Sequence, residues 1–189
     1  KYGTNIIEGY GLSETSPVAS TNVITRPKKP GSIGVPIWGV QFRLRADDGS
    51  IVHETGVAGE IDIKGHNVMA GYYKRPEATQ QAIVAGWFAT GDIATRDEDG
   101  YYFIVDRRKD MILRGGFNVY PREIEEVLYR HHSVAEAAVI GRPDERLGEE
   151  VHAVVALKPG AVATSEELIA FCKEHVAAYK YPRTVEIVA

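Results

Sequence analysis

The chain has 189 residues, of which 44% are hydrophobic and 25% are charged, an ordinary composition for a soluble globular protein. Its 26 acidic residues outnumber its 22 lysines and arginines, and the net charge of −4 argues against a nucleic-acid binder that relies on a broad positive surface. The single cysteine, Cys172, excludes an intrachain disulfide framework and favours a reducing, cytoplasmic location. No apolar run approaches the roughly 18 residues of a transmembrane segment.

Four short segments of the first half are predicted strands: Gln41–Arg45, Glu60–Lys64, Ile93–Arg96 and Tyr101–Val105. The first two alternate polar and apolar residues, which is the period-two pattern of a half-buried strand. The turn residues Asp97–Gly100 between the last two segments predict a hairpin. One short helix is predicted over Ala78–Val84, so this half is expected to be β-rich, as a distorted barrel.

The second half changes in character near Asp106–Asp110. Pro121 predicts the start of a helix that runs to about His131, because proline fits the first helical position. Strands are predicted over Ala135–Ile140 and Val151–Leu157. Since strands and helices alternate here, the fold class is predicted to be α+β, with a small α+β domain at the C-terminal end.

A second helix is predicted from a capping box. Thr164 and Glu167 have the three-residue spacing of that motif. The apolar face of the helix would carry Leu168, Ile169 and Cys172. Cys172 is therefore interpreted as a small core residue rather than a nucleophile.

The first stretch with chemical character is Glu8–Thr15, EGYGLSET. Two glycines flank Tyr10, and a hydroxyl and a carboxylate follow at Ser13 and Glu14. A ring, a hydroxyl and a carboxylate are the groups of a nucleotide site with Mg²⁺, although a glycine-rich turn explains the stretch equally well. The segment GLSET also approaches a nucleophile elbow, but it lacks the second glycine, which disfavours a serine hydrolase.

Two further stretches carry candidate groups. In WFATGD, the carboxylate of Asp92 could accept hydrogen bonds from two ribose hydroxyls, although an ordinary turn is the simpler explanation of this stretch alone. Asp106–Glu125 gathers cations, a Gly-Gly pair and a helix start between the two halves. Such residues can serve a hinge and a ligand channel, and the alternative is a solvated charged surface.

Taken in order, GYGLSE, GEIDIKGHNVMAGY, WFATGD and DRRKDMILRGGFNVYPREIE resemble the motifs of the adenylate-forming superfamily of acyl-CoA synthetases, luciferases and adenylation domains. The segments YGLSETSPV and RGGFNVYPREIE look most like bacterial medium- or long-chain fatty-acyl-CoA ligases. The resemblance implies that residues 1–107 end the large AMP-binding domain and that 108–189 form a small mobile C-terminal domain. It also implies that a carboxylate attacks the α-phosphate of ATP to give an acyl-adenylate and pyrophosphate, and that the thiol of CoA then attacks the acyl carbonyl and releases AMP.

The resemblance implies roles for the residues around the first motif. Tyr10, with Gly11 beside it, would stack on the adenine of the nucleotide. Ser13 would bind the α-phosphate or the substrate carboxylate, and Glu14 would hold Mg²⁺.

The resemblance also implies a ribose site. Asp92 would accept from the ribose hydroxyls, Arg107 would provide a second ribose contact, and Ile104 would flank the base. Glu60, in the second motif, is interpreted as structural and is assigned no chemistry.

For the second half, the resemblance implies a hinge at Lys109 and a tunnel for the pantetheine arm of CoA lined by Gly115 and Gly116. One departure concerns Leu113, which stands where some relatives carry a lysine that assists the second half-reaction. That role is not carried over to Arg114.

The family's phosphate loop and its C-terminal adenylation lysine have no match in the chain, and Lys180 in AAYKYP does not fit the lysine motif. The chain is therefore expected to be a fragment with a truncated small domain and with little or no ligase activity of its own. The acyl chain length and the oligomeric state are not readable from it.

Several alternatives stay open at this stage. An adenylation enzyme that loads a carrier protein shares the nucleotide motifs, and the small domain could act as an interaction module. Peripheral membrane contact fits an enzyme of lipids but has no basic amphipathic helix to support it. The basic segments Arg26–Pro30 and Arg107–Lys109 are too short for a nucleic-acid site, and His131, His132 and His152 lack a metal-ligand spacing.

Overall fold

The computed structural model describes residues 6–27 and 29–188, and the chain divides into two compact units, residues 1–108 and 109–189. The fold is mixed α+β and rich in strands, as the sequence predicts, and the main sheet of the first unit is a curled half-barrel. Each unit has a hydrophobic cluster of its own. Within the described residues no helix is long and apolar enough to cross a membrane.

The first unit is built from two sheets. Its strands are β1 (Gly9–Gly11), β2 (Val18–Thr21), β3 (Val35–Pro36), β4 (Val40–Arg45), β5 (Ile51–Val52), β6 (Gly59–Gly65), β7 (Ile83–Val84), β8 (Trp87–Arg96) and β9 (Tyr102–Arg107). The first three form a small antiparallel sheet in chain order. The larger sheet has the order β5-β4-β6-β8-β7, and β9 also pairs with β8. The predicted strands over Gln41–Arg45 and Glu60–Lys64 and the predicted hairpin are confirmed.

Strand β6 separates two environments. Ile61 and Ile63 are fully buried in the hydrophobic core of the unit. Glu60 and Asp62 alternate with them and therefore lie on the opposite face. Both carboxylates are buried, with relative exposures of 5% and 2%, so the residues that β6 buries on this face are charged rather than apolar.

The predicted helix over Ala78–Val84 is only partly correct. Helix α1 (Pro76–Ala82) begins two residues earlier and ends before Ile83, which starts β7. Residues 85 and 86 join β7 to β8, and both have positive φ values, 53° for Ala85 and 79° for Gly86. This two-residue turn fits a tight hairpin, so strand pairing ends the helix early.

The second unit combines one sheet with two helices. Its elements are β10 (Ile112–Arg114), β11 (Phe117–Val119), α2 (Pro121–Tyr129), β12 (Val134–Asp144), β13 (Gly148–Leu157), α3 (Ser165–His175) and β14 (Thr184–Val188). The sheet has the order β11-β10-β13-β12, and β14 runs parallel to β13 on its other side. Helix α2 ends at Tyr129, earlier than the predicted end near His131, while β12 and β13 are longer than predicted.

The capping box at the start of α3 is confirmed. The Thr164 hydroxyl accepts from the Glu167 N–H at 3.2 Å, and the Glu167 carboxylate accepts from the Thr164 N–H at 2.9 Å. The helix buries Leu168 and Cys172 completely, as its predicted apolar face requires. Burial raises the pKa of the Cys172 thiol to about 11, which keeps it protonated and supports its prediction as a core residue.

Candidate functional site

A hydrogen bond joins the two best candidate residues of the first unit. Tyr10 lies in β1 and Asp92 in β8, and the Tyr10 hydroxyl donates to Asp92 Oδ2 at 2.6 Å. Burial first, and then the adjacent Asp92 carboxylate, raise the pKa of Tyr10 well above its ordinary value. The phenol therefore stays protonated and acts as a donor to Asp92. The Tyr10 ring also packs edge-on against Phe42, with ring centroids 6.3 Å apart.

Arg107 holds the same carboxylate from the neighbouring strand. It lies directly across from Asp92 in the β8–β9 pair, and its Nε is 3.4 Å from Asp92 Oδ1. The Arg107 side chain is 62% exposed and the Asp92 side chain 10%, so the cation faces solvent over a mostly buried anion. A carboxylate offers about four acceptor positions, and two partners leave Asp92 with capacity to bind a ligand hydroxyl.

A bulge in β8 determines where Asp92 points. Between its paired residues Ala89 and Ile93, β8 has two more residues than the facing part of β6. Residues 90–92 therefore have no partners in the β6–β8 ladder. Gly91 occupies the left-handed region with a φ of 77°, which glycine adopts at little cost. The Thr90 hydroxyl donates to the Ile61 carbonyl at 2.8 Å and accepts from the Asp92 N–H at 3.1 Å. The motif Thr-Gly-Asp thus folds as a braced bulge rather than a simple turn.

The residues after β1 form a tight 3-10 turn, Ser13–Thr15. The buried Thr15 hydroxyl closes this turn by accepting from the Leu12 N–H at 2.9 Å. Ser13 itself is exposed. A Cβ at Gly11 would lie 1.7 Å from the carbonyl oxygen of Pro17, so the backbone packing alone requires glycine there.

Glu14 is fixed on one side only. Its Oε1 accepts from the Tyr72 hydroxyl at 3.0 Å, and its backbone carbonyl accepts from the Met69 N–H at 2.8 Å. Partial burial and the Glu14 carboxylate raise the pKa of Tyr72, so the hydroxyl remains a donor. Within the described part of the chain, no other side chain bonds the second carboxylate oxygen of Glu14.

Glu14 offers one carboxylate as a ligand for a hard divalent cation. Mg²⁺ is commonly held by one or two carboxylates together with substrate phosphates and water. No group of three or more His, Cys, Asp or Glu side chains that could hold a metal occurs among residues 6–27 and 29–188. The single carboxylate of Glu14, with one oxygen bonded to Tyr72, fits the one protein ligand that Mg²⁺ takes beside substrate phosphates and water.

Ile104 completes the hydrophobic surroundings of the first unit's candidates. It lies in β9 and packs, half-buried, against the core cluster that Tyr10 also contacts. The structure thus brings together Tyr10, Asp92 and Arg107 by direct contacts, while Glu14 is tied to Tyr72 instead.

The candidate residues of the second unit lie in the β10–β11 hairpin and in the short turn that precedes it. Lys109 is exposed in a short 3-10 turn, Arg108–Asp110. Gly115 and Gly116 are the two loop residues between β10 and β11, with φ values of 55° and 83°, which is the geometry of a type I′ turn. The Gly115 N–H donates to the Leu147 carbonyl at 2.8 Å, and a Cβ at Gly116 would meet nothing within 4 Å.

Three residues that contribute to these arrangements carried no predicted chemistry: Tyr72, Thr90, and Glu60, whose Oε1 accepts from the Gly91 N–H at 3.1 Å. The alternating charges of QFRLR and EIDIK signal that arginines and carboxylates share one face of a strand pair, which could have pointed to Glu60. Lys180 pairs with Glu123, with 2.7 Å between Nζ and Oε2, which is consistent with leaving it out of the candidate site.

Each of the two units matches a family model of AMP-binding enzymes. A family model for AMP-binding enzymes matches residues 1–73, and a model of the AMP-binding enzyme C-terminal domain matches residues 123–189. The long-chain-fatty-acid–CoA ligase of Yersinia pestis is 50% identical over 184 residues, which are 97% of this chain and 32% of that protein. The chain spans about a third of the length of the curated relatives it matches.

Two solved structures agree in fold over nearly the whole chain. ATP-bound MatB from Rhodopseudomonas palustris aligns with a TM-score of 0.92 and 37% identity, over 100% of this chain and 37% of that one. The o-succinylbenzoate-CoA synthetase of Bacillus subtilis, in complex with ATP and magnesium, aligns with a TM-score of 0.85 and 36% identity, over 98% and 38% of the two chains. The motifs, the fold and both family models therefore agree that this chain belongs to the adenylate-forming superfamily of AMP-binding enzymes.

Proposed function

We propose that this chain is part of an ATP-dependent fatty-acid–CoA ligase. In this proposal residues 1–107 are the last part of the AMP-binding domain and residues 108–189 belong to the small mobile domain. The observation that carries it is the contact set of Tyr10, Asp92 and Arg107, which presents a ring, a carboxylate and a cation from three strands. The identity of 50% to a long-chain-fatty-acid–CoA ligase supports a fatty acid as the carboxylate substrate.

The first half-reaction requires ATP to be held by its adenosine. The Tyr10 ring stacks on adenine, with Gly11 beside it and Ile104 on the apolar side of the base. Asp92 accepts from the ribose hydroxyls, and its two existing partners keep its oxygens in place for them. Arg107, exposed above Asp92, contributes a second ribose contact.

The phosphates of ATP bind at the turn Ser13–Thr15, which follows Tyr10. Ser13, whose hydroxyl is exposed, donates to the α-phosphate or to the substrate carboxylate. Glu14 binds Mg²⁺ through the carboxylate oxygen that Tyr72 does not occupy. Bound there, the ion would offset the negative charge of the phosphates while the fatty-acid carboxylate attacks the α-phosphate, forms the acyl-adenylate and displaces pyrophosphate.

The second half-reaction admits the thiol of CoA. Lys109 is the hinge residue, and the open turn at Gly115 and Gly116 lines the passage for the pantetheine arm. A passage of this kind needs backbone without side chains, which the turn provides. The thiol then attacks the acyl carbonyl and AMP leaves with its phosphate.

The test uses the protein encoded by the complete open reading frame that contains this sequence. It is incubated with ATP, Mg²⁺ and a panel of carboxylic acids, with and without CoA, and AMP release is followed. We expect strong CoA-dependent AMP release with fatty acids. Carboxylate-dependent exchange of pyrophosphate into ATP without CoA-dependent turnover would instead indicate an adenylation enzyme that loads a carrier protein.

A further inference from the structure

Glu60 sits at the centre of a charge network on the polar face of the first unit's larger sheet. Its Oε2 accepts from Arg45 Nη2 at 2.9 Å and from Arg108 Nη1 at 2.5 Å. Arg45 is itself held by Asp62, with 2.9 Å between Nε and Oδ2. The Glu60 carboxylate is therefore buried, compensated by two guanidinium groups and confined to one orientation.

The other oxygen of Glu60 reaches the bulge that carries Asp92. Glu60 Oε1 accepts from the Gly91 N–H at 3.1 Å. A bulge leaves backbone groups without ladder partners, and this side chain supplies the missing acceptor at the residue directly before Asp92. With the Thr90 hydroxyl bonded to the Asp92 N–H, both amides that lead into the Asp92 side chain are fixed.

We propose that Glu60 is a positioning residue for ribose recognition: its bond to the Gly91 N–H holds the bulge in the conformation that aims the Asp92 carboxylate at the nucleotide. This inference rests on the proposed function, because it takes Asp92 to be the acceptor for the ribose hydroxyls. Glu60 touches neither the nucleotide nor the reacting atoms in this proposal, and it acts only through the backbone of the bulge. Its contribution should therefore depend on whether the ribose hydroxyl is present.

The test compares ATP with 2′-deoxy-ATP in carboxylate-dependent pyrophosphate exchange by the complete enzyme. We expect the wild-type enzyme to prefer ATP and Glu60→Ala to lower that preference about tenfold, since a bond to a charged acceptor is weakened. The change should appear mainly in KM for ATP, with kcat reduced less. Glu60→Gln should restore most of the preference, because its amide oxygen can accept from the Gly91 N–H.

Asp62→Asn is the matched control. Asp62 is a buried carboxylate on the same strand and the same face, and it is bonded to Arg43 and Arg45 but not to the bulge. We expect this variant to lose stability and to retain the wild-type preference for ATP, because Glu60 keeps its bonds to the Gly91 N–H and to Arg108. If Glu60→Ala lowers the activity with both nucleotides equally, as a general loss of structure would, the inference is overturned.

A measurement on the complete wild-type enzyme tests the inference without any variant. In amide hydrogen exchange, the Gly91 N–H should exchange at least tenfold more slowly than the intrinsic rate of an unstructured amide. Exchange at the intrinsic rate would overturn the inference. The two levels of the proposal fail separately. An enzyme that does not use ATP overturns the proposed function and this inference together, whereas an enzyme whose preference for ATP survives Glu60→Ala overturns the inference alone.

Discussion

The two units place their candidate groups by different physical means. In the first unit the site depends on side chains: Asp92 is held by Tyr10 and Arg107, and its bulge is held by Thr90 and Glu60. In the second unit the Gly-Gly turn depends on backbone conformation and has open space around Gly116. A nucleotide needs fixed polar partners, and a passage for a flexible arm needs room, so each unit suits a different half of the proposed reaction.

The difference also appears in what each unit buries. The first unit buries the carboxylates Glu60, Asp62 and Asp92, each paired with arginine. The second unit has a large apolar cluster, and its buried histidine, His152, has among the described residues a hydroxyl but no carboxylate within hydrogen-bond distance. Buried charge is costly unless it is paired, so these arginines stabilise the buried carboxylates of the first unit and fix their positions.

Removing the central carboxylate should break the first unit's site most severely. In the complete enzyme we expect Asp92→Ala to lower kcat/KM for ATP by about 100-fold, because two hydrogen bonds to a charged acceptor are lost. Carboxylate-dependent pyrophosphate exchange measures the effect. A loss below about threefold would contradict the assignment of Asp92 to the ribose.

Tyr10→Phe is the graded control for this variant. It keeps the ring for stacking and removes only the donor to Asp92 Oδ2. We expect a loss of about fivefold, since one hydrogen bond contributes about 1 kcal/mol. If Tyr10→Phe were as damaging as Asp92→Ala, the hydroxyl rather than the Asp92 carboxylate would be the main nucleotide contact.

A substitution in the Gly-Gly turn should break the second unit's site instead. Gly116→Ala places a Cβ in the left-handed region, which costs about 1–2 kcal/mol. We expect CoA-dependent AMP release to fall about tenfold and pyrophosphate exchange to change less than twofold, because only the second half-reaction uses the turn. Single-turnover assays of the two half-reactions separate these effects.

Gly160→Ala is the matched control for the strain. Gly160 also has a positive φ, 77°, with nothing within 4 Å of its would-be Cβ, and it lies in the same unit beyond β13. It should lose similar stability without affecting the CoA step. Equal losses of CoA-dependent turnover in both variants would show that strain alone accounts for the effect, and the turn would have no special role.

The strands and the caps were predictable because their signals are local. Alternation over Gln41–Arg45 and Glu60–Lys64 sets which face is buried, and the Thr164 box uses only residues within one turn. The hairpin of β10 and β11 was missed, since its strands have only three residues each and the Gly-Gly pair was interpreted as the lining of a tunnel. Strand β14 pairs directly with β13, although helix α3 separates the two strands along the chain. A pairing between residues this far apart in sequence has no local signal.

The contacts of the candidate site were likewise not predictable from local sequence signals. Tyr10 and Asp92 could be singled out by their motifs, but the bond between them joins residues 82 positions apart that lie in two different sheets. Glu60 was interpreted as structural, within a motif that contributes mainly to the fold, and was assigned no chemistry. Its role depends on the register that places it beside a bulge, and register follows from the folded sheet.

The smallest expected effect concerns the buried histidine of the second unit. His152 Nδ1 lies 2.7 Å from the Thr184 hydroxyl, and His152 Nε2 lies 3.6 Å from Glu186, which also pairs with Arg142 at 3.3 Å. Burial, and after it Arg142, lower the pKa of His152, while Glu186 opposes them. The folded state thus favours the neutral imidazole, whereas the unfolded chain binds the proton with a pKa of about 6.5.

It follows that the contribution of His152 to stability is fully present above about pH 6.5 and is lost as the pH falls below that value, since the unfolded chain then binds more protons. We expect the denaturation midpoint, followed by helical circular dichroism from α2 and α3, to fall between pH 7.5 and pH 5. His152→Gln should reduce this fall, whereas His53→Gln, an exposed histidine of the first unit, should not. If the fall is the same in His152→Gln and in the wild type, the buried imidazole does not control it. The difference between the units would then lie in how they position ligands and not in how they respond to pH.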